Sequence, residues 1–388
     1  MIVKMVDICS KIGSGATPRG GKEAYCEDGV SLIRSQNVLD FEFSESGLAH
    51  INNDQAQKLK NVEVRADDVL LNITGDSVAR ACMIEETFLP ARVNQHVAII
   101  RGERNRVLGS YLLYFLQLRK EHLLQLASAG ATRNALTKGM IEQLELDLPT
   151  VSIQRKIVSV LDLIMKKIAL NREINDNLQQ QLHMFYTKMF AESAMDAVLG
   201  DVVVTASGGT PSRKHSEYYN HGNICWVKSK ELFGDYLHDT EEYINELAIA
   251  KSSAKLLPSH SVLIAMYGAT VGAYGIISHP MTCNQAVCAL LSTEKYPYTY
   301  LFQIACESQQ KLINLAVGSA QQNISQVLIK QLPIHSNEDI IQEFHSLARP
   351  IHEKLETLQA ENRQLSEMRD SLLPKLMSGE LDVSSIDL

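Results

Sequence analysis

The sequence predicts an α+β protein built from two similar halves, each a globular domain followed by a long helix, and three observations carry that prediction. Landmarks in the first half return in the same order in the second. Each half mixes short β-type runs with Gly, Pro and Asn turns, then loses glycine and adopts a 4-3 apolar spacing. A chain of 388 residues, 45% hydrophobic and 21% charged, can bury two cores and matches no disordered or fibrous class.

The repeat is legible residue by residue. Ser14-Gly15-Ala16-Thr17-Pro18 returns as Ser207-Gly208-Gly209-Thr210-Pro211, and Val69-Leu70-Leu71 with Gly75 returns as Val262-Leu263-Ile264 with Gly268, both at an offset of 193. Asn94-Gln95-x-Val97 matches Asn284-Gln285-x-Val287. Gly130, Leu136, Ile141-x-Gln143-Leu144 and Gln154 match Gly318, Ile324, Ile329-x-Gln331-Leu332 and Gln342 at 188. The expected boundaries are a first domain over 1–150, a central long helix over 151–192, a second domain over 193–335, a C-terminal long helix over 336–380 and a tail over 381–388.

Within the domains, Val69 to Ile73, Val97 to Ile100, Val262 to Met266 and Ala286 to Leu291 read as strands, and Tyr111 to Ala127 as helix. The two helical segments carry heptads. Ile157, Leu161, Ile164, Ile168, Leu178 and Leu182 mark the seam of the first, and Ile351, Leu355, Leu358, Leu365 and Leu372 that of the second. Either helix alone reads equally as one lying on its own domain. At 1.5 Å per residue, each would extend about 55 to 60 Å, which argues that they pair as a coiled coil. Asn171, Asn175 and Asn362 fall on seam positions, where amides fix register. Pro350 and Pro374 are expected near helix ends, and His345 and His352 on an exposed face.

Net charge is −8, which counts against a protein that coats DNA by bulk electrostatics. The excess is uneven: 17 basic residues face 19 acidic in 1–150, 9 face 11 in 193–335, and 5 face 11 in 336–388. The domains are left near neutral. Seven scattered cysteines without a CxxC pair predict buried thiols, with no disulfide framework and no metal site. The N-terminal residues lack the apolar core of a signal peptide and no apolar run spans a bilayer, so the expected compartment is the cytoplasm and no membrane partner is expected.

Catalytic patterns are missing. Gly15 to Lys22 fails as a phosphate loop, because Ala16 and Glu23 stand where Gly and Ser or Thr are needed. Gly268, Gly272 and Gly275 are not spaced as GxGxxG and read as a tight turn. No Asn/Asp-Pro-Pro-aromatic, HExxH or GxSxG pattern occurs. The expectation is a non-enzyme without cofactor or catalytic residues.

The duplicated Gly-x-Thr-Pro loop, the Arg34-Ser35-Gln36-Asn37 and Lys228-Ser229-Lys230 segments, the Asn-Gln pairs, Gly318 to Ser325 and the ending Leu372-Leu373-Pro374-Lys375-Leu376-Met377-Ser378-Gly379-Glu380-Leu381 resemble the specificity subunit of type I restriction-modification enzymes. The resemblance spans nearly the whole chain. It implies two target recognition domains related by a pseudo-twofold axis, separated by two long antiparallel coiled-coil helices. Each domain would read half of a bipartite site in double-stranded DNA. The helices would set the spacer and dock two methyltransferase subunits, with restriction and translocase subunits joining the full complex. Copy one departs where Ala135 replaces Asn323. The rival class is a coiled-coil scaffold or adaptor without sequence-specific DNA binding, which the net acidity favours.

Candidate DNA contacts follow the landmarks. Thr17, Arg19, Thr210, Arg213 and Lys214 belong to the Gly-x-Thr-Pro turns, where a rigid loop presents a cation to phosphate or to guanine, or else simply an exposed charge. Arg34, Gln36, Asn37, Lys228 and Lys230 follow apolar strands and suit base or backbone contact. Thr74 and Tyr267 flank glycine, and packing is the alternative for both. Arg133, Gln321, Gln322 and Asn323 lie in polar loops suited to phosphate.

Overall fold

The computed structural model describes residues 1–18, 20–128, 134–317 and 323–384. The chain divides into two compact units, one formed by Met1–Lys166 with Leu365–Leu388 and the other by Lys167–Gln364. Each long helix therefore contributes residues to both.

In the first unit, Cys9–Ser14, Val97–Gly102, Val69–Asn72 and Ala81–Cys82 form an antiparallel sheet. A second sheet runs Tyr25–Cys26, Ala49–Ile51, Val30–Ile33, Ala91–Val93, Glu63–Val64, with one parallel pair, Val30–Ile33 beside Ala91–Val93. Ile2–Lys4 pairs with Glu145–Asp147 and closes the domain. The apolar run Val69-Leu70-Leu71 is buried on both faces, and its alternation serves two cores. Val69 and Leu71 face the core shared with the helices, whereas Leu70 joins the core between the sheets.

The second unit repeats this plan. Val204–Ser207, Val287–Leu291, Val262–Ala265, Tyr274–Ile277 and Tyr236–Leu237 form the main sheet, and Tyr243–Ile244, Ile224–Val227 and Thr282–Cys283 a smaller one. The parallel pair recurs as Ile224–Val227 beside Thr282–Cys283, and the closing pair as Ala197–Val198 with Pro333–Ile334. Val262 and Ile264 face the helix-side core, while Leu263 and Ala265 face the other. The expected helix over Tyr111 to Ala127 is two, Gly109–Leu118 and Lys120–Ser128. Near the break Gln117 donates to Ala81 O at 2.7 Å and Lys120 pairs with Asp40, so both pieces are tied to neighbouring segments.

The central helix spans Val151–Phe190 without Gly or Pro, and the C-terminal helix spans Glu338–Ser378. Gln154 and Gln342 fasten each to its domain: Gln154 Nε2 donates to Arg106 O and Gln342 Nε2 to Glu294 O. The Asn337 side chain caps the second helix. Gly379, at φ +76°, ends it, with Leu381 N donating to Lys375 O. Within the second unit Asn171 Nδ2 donates to Glu361 Oε2 at 2.8 Å and Asn362 Oδ1 at 2.9 Å, while Tyr186 and Phe190 meet Phe344. Rising numbers meet falling ones, so the helices run antiparallel there. In the first unit Arg369 Nη1 lies 3.5 Å from Met165 Sδ, and Lys156 donates to Ser384 O, in the same sense.

The seam residues Ile157, Leu161, Ile164, Ile168, Leu182, Leu355 and Leu358 are buried. Leu178, Ile351, Leu365 and Leu372 are half-buried. Leu182 and Leu355 share a core with sheet residues Val262, Ile264 and Leu290, so the helices pack on their domain as well as on each other. Near the end of the second helix Leu373 and Leu376 enter the first unit's core, beside Ile157 and Leu161. Three expectations need correction. Pro350 lies well inside its helix. His352 is fully buried, its Nδ1 2.9 Å from Tyr236 Oη and its ring edge-on to Phe302, because a helix lying on a sheet turns that face inward. His345 is half-buried against Thr299 and Tyr298. All seven cysteines are unpaired and four are buried, although Cys26 is exposed. Among the described residues, no helix is long and apolar enough to cross a membrane.

Candidate nucleic-acid interface

The Gly-x-Thr-Pro turn is a backbone clamp in both domains. Gly15 N donates to Val97 O and Ala16 N to Val93 O; Gly208 N donates to Val287 O and Gly209 N to Cys283 O. A Cβ on Gly15 would stand 1.9 Å from Val93 O, and one on Gly208 2.0 Å from Asn284 O. Only glycine permits that approach. The Asn-Gln motif completes the clamp: Asn94 Oδ1 accepts from His96 N and Asn284 Oδ1 from Ala286 N, which are side-chain turns internal to the fold. Thr17 and Thr210, just past the clamp, are exposed.

After the parallel strand each domain makes a short helical turn, Ser35–Asn37 or Ser229–Glu231. Asn37 is fully buried, accepting from Arg34 N and donating to Ser44 O and Ser46 O, so it serves the turn and has no amide edge left for a base. Glu231 does the same capping work at Lys228 N. Gln36 is exposed and reaches Gly47 O at 3.2 Å. Arg34 Nη2 donates to Gly47 O at 2.5 Å, while its buried Nε finds no partner among the described residues. An orphaned donor of this kind costs about 1–3 kcal/mol unless a ligand meets it.

The matching face of the second domain is a cation cluster on an aromatic platform. Arg213 lies 4.2 Å from the Tyr219 ring centroid and 5.5 Å from that of Trp226, and Lys228 Nζ lies 5.7 Å from Trp226. Both cations pair with Glu242, Arg213 with Oε2 and Lys228 with Oε1. Hydrogen bonding from Lys228 above all, and then from Arg213, holds the Glu242 carboxyl below the usual range. Lys230 pairs with Glu241 at 2.5 Å, which raises its pKa. Lys214 is exposed.

A third segment adjoins the glycine turns. Thr74 bridges Ala135 as Tyr267 bridges Asn323. Gly268 N donates to Asn323 Oδ1 at 3.2 Å, and Gly75 N donates to the backbone carbonyl of Asn134 at the same distance. The main chain of copy one thus supplies what the side chain supplies in copy two, and Ala135 leaves the turn intact. The glycines stand at φ +77° and +67°, a region that favours glycine, and the carbonyl of each accepts an i to i+3 bond, from Val78 N and from Val271 N. Tyr267 is 42% exposed, whereas Thr74 is half-buried and bonded to His96 Nδ1 at 2.7 Å. Sequence reading passed over Glu242, Trp226, Tyr219 and His96; only their neighbourhood to the repeated landmarks signals them. Arg19, Arg133, Gln321 and Gln322 lie outside the described residues.

A family model described as the type I restriction modification DNA specificity domain matches residues 2–180 and 194–336. The type I restriction enzyme EcoR124I/EcoR124II specificity subunit of Escherichia coli is 25% identical over 293 residues, covering 69% of this chain and 71% of that one. The type I restriction enzyme MjaIX specificity subunit of Methanocaldococcus jannaschii is 23% identical over 424 aligned positions, covering 99% and 94%. Among solved structures, the S subunit of a type I restriction-modification system from M. genitalium superposes with a TM-score of 0.58 at 12% identity, covering 97% of this chain and 96% of that one, which is likeness of fold.

Proposed function

The chain belongs to the family of type I restriction modification DNA specificity domains, and from that premise we propose that it is the DNA-reading subunit of such a complex. Each domain reads one half of a bipartite duplex target. The long helices set the spacer between the halves and, with the domains, dock two methyltransferase subunits, to which restriction and translocase subunits add in the full assembly. The chain itself is non-catalytic, needs no cofactor, and works in the cytoplasm on double-stranded DNA.

One observation carries this reading: an identical clamp presents different side chains at matched positions. Arg34 answers to Lys228, Gln36 to Lys230 and Thr74 to Tyr267, while Gly15 and Gly208 make the same backbone contacts beneath them. A constant scaffold with unlike donors is what two unlike half-sites need. Of the other candidate contacts, Thr17, Thr210, Arg213 and Lys214 belong to the glycine turns and Asn323 lies beside Tyr267; Asn37 does not join them. Methylome sequencing of cells with and without the gene tests the reading directly, and a methylated bipartite motif that disappears with the gene is the expected result. Net acidity favours a scaffold instead. Fluorescence anisotropy of the chain with its methyltransferase partner separates the two, since binding that is absent or independent of salt would belong to a scaffold. Stoichiometric binding of S-adenosylmethionine by the chain alone would overturn its non-catalytic role.

A further inference from the structure

The second domain spends carboxylates on the cations that would face DNA. Glu242 immediately precedes the strand Tyr243–Ile244, and its backbone is fixed, since its carbonyl accepts from Trp226 N at 3.1 Å and from Thr240 Oγ1 at 2.7 Å. The platform beneath is fixed as well: Trp226 Nε1 donates to Gly209 O at 3.0 Å and Tyr219 Oη to Pro211 O at 2.6 Å, tying both rings to the Gly-Gly-Thr-Pro turn. One carboxylate oxygen then takes Lys228 and the other Arg213. The site carries two positive charges and one negative, held on rigid supports.

We propose that Glu242 is a specificity-determining positioning residue, which orients Arg213 and Lys228 toward a neutral base edge and makes them poor phosphate ligands. The inference rests on the reading of this domain as a DNA-reading face. A phosphate approaching Arg213 meets the fixed negative charge beside it and must displace it or tolerate it. A guanine edge offers the uncharged acceptors O6 and N7, and a guanidinium bound to Glu242 through Nη2 keeps further N–H donors for them. The same pairing lowers rotamer freedom in two long side chains before DNA arrives, so less is lost on binding. Affinity for arbitrary duplex falls while the contrast between bases rises.

The test uses the full-length chain assembled with its methyltransferase partner, titrated over a range of salt against four duplexes: the methylated motif, that motif altered in either half-site, and a random sequence. Glu242→Gln is expected to steepen the dependence of log K on log salt for random duplex by about 0.9, the mark of one added phosphate contact. Discrimination at the half-site read by the second domain is expected to fall about tenfold, the scale of one bidentate base contact, while the other half-site is unaffected. Glu242→Asp, which keeps the charge, should restore most of the discrimination. An unchanged salt slope, or equal losses at both half-sites, would overturn the proposal. The double variant Arg213→Ala with Lys228→Ala separates the two levels. If it binds the motif as the parent does, this face does not read DNA and the underlying reading fails; if it loses binding while Glu242→Gln behaves as the parent, the role of Glu242 alone fails.

Discussion

Gly208 shows how much one hydrogen atom in place of a methyl can decide. A Cβ added there would stand 2.0 Å from Asn284 O, so Gly208→Ala must push two closely packed segments apart. A loss of about 1–3 kcal/mol is expected from denaturant unfolding, and the same from Gly15→Ala. His352 makes a different kind of commitment. Burial chiefly, with His260 and His345 nearby, depresses its pKa to about 3, and its Nε2 has no hydrogen-bond partner among the described residues. The folded state refuses the proton that the unfolded chain takes below about pH 6.5. Its contribution is therefore complete above that pH and is lost as pH falls toward 3. The thermal midpoint should drop between pH 7 and 4.5, and drop less in His352→Gln; parallel curves would remove this residue as the source. The glycine was readable in sequence because its spacing recurs. The histidine was not, because Tyr236, Tyr298 and Phe302, which bury it, lie far away along the chain.

At the scale of elements, the buried amides of the helix pair trade packing for alignment. Asn171 reaches Asn362, yet among the described residues its Oδ1 and that of Asn175 have no hydrogen-bond partner. Asn171→Ala with Asn362→Ala should show a coupling of about 0.5–1 kcal/mol in a double-mutant cycle, and a coupling of zero would leave the contact without energetic weight. Heptad spacing placed both asparagines on the seam correctly. It did not reveal that Leu182 and Leu355 also serve a domain core, since an apolar stripe says that a face is covered and not what covers it. Nor did it anticipate the replacement of the Asn323 side chain by the carbonyl of Asn134, a main-chain substitution that leaves no trace in residue type.

For the whole molecule, the duplication was the most legible property, because two copies check one another and chance similarity does not keep order. Exchanging residues 1–150 between homologues should change one half of the methylated motif and leave the other, and extending the 151–190 helix should change the spacer. Methylome sequencing reads both, and an unaltered motif after both edits would end the account of two readers and a ruler. The division into compact units also bears on the order of folding. The second unit is a single uninterrupted stretch, Lys167–Gln364, whereas the first draws Leu373, Leu376 and Val383 into the core begun by Met5 and Ile8. The later half can therefore close from one continuous stretch, whereas the earlier one keeps apolar surface bare until a distant strip of chain covers it. A released chain ending at residue 364 should resist protease over 167–364 and be cut readily within 1–166.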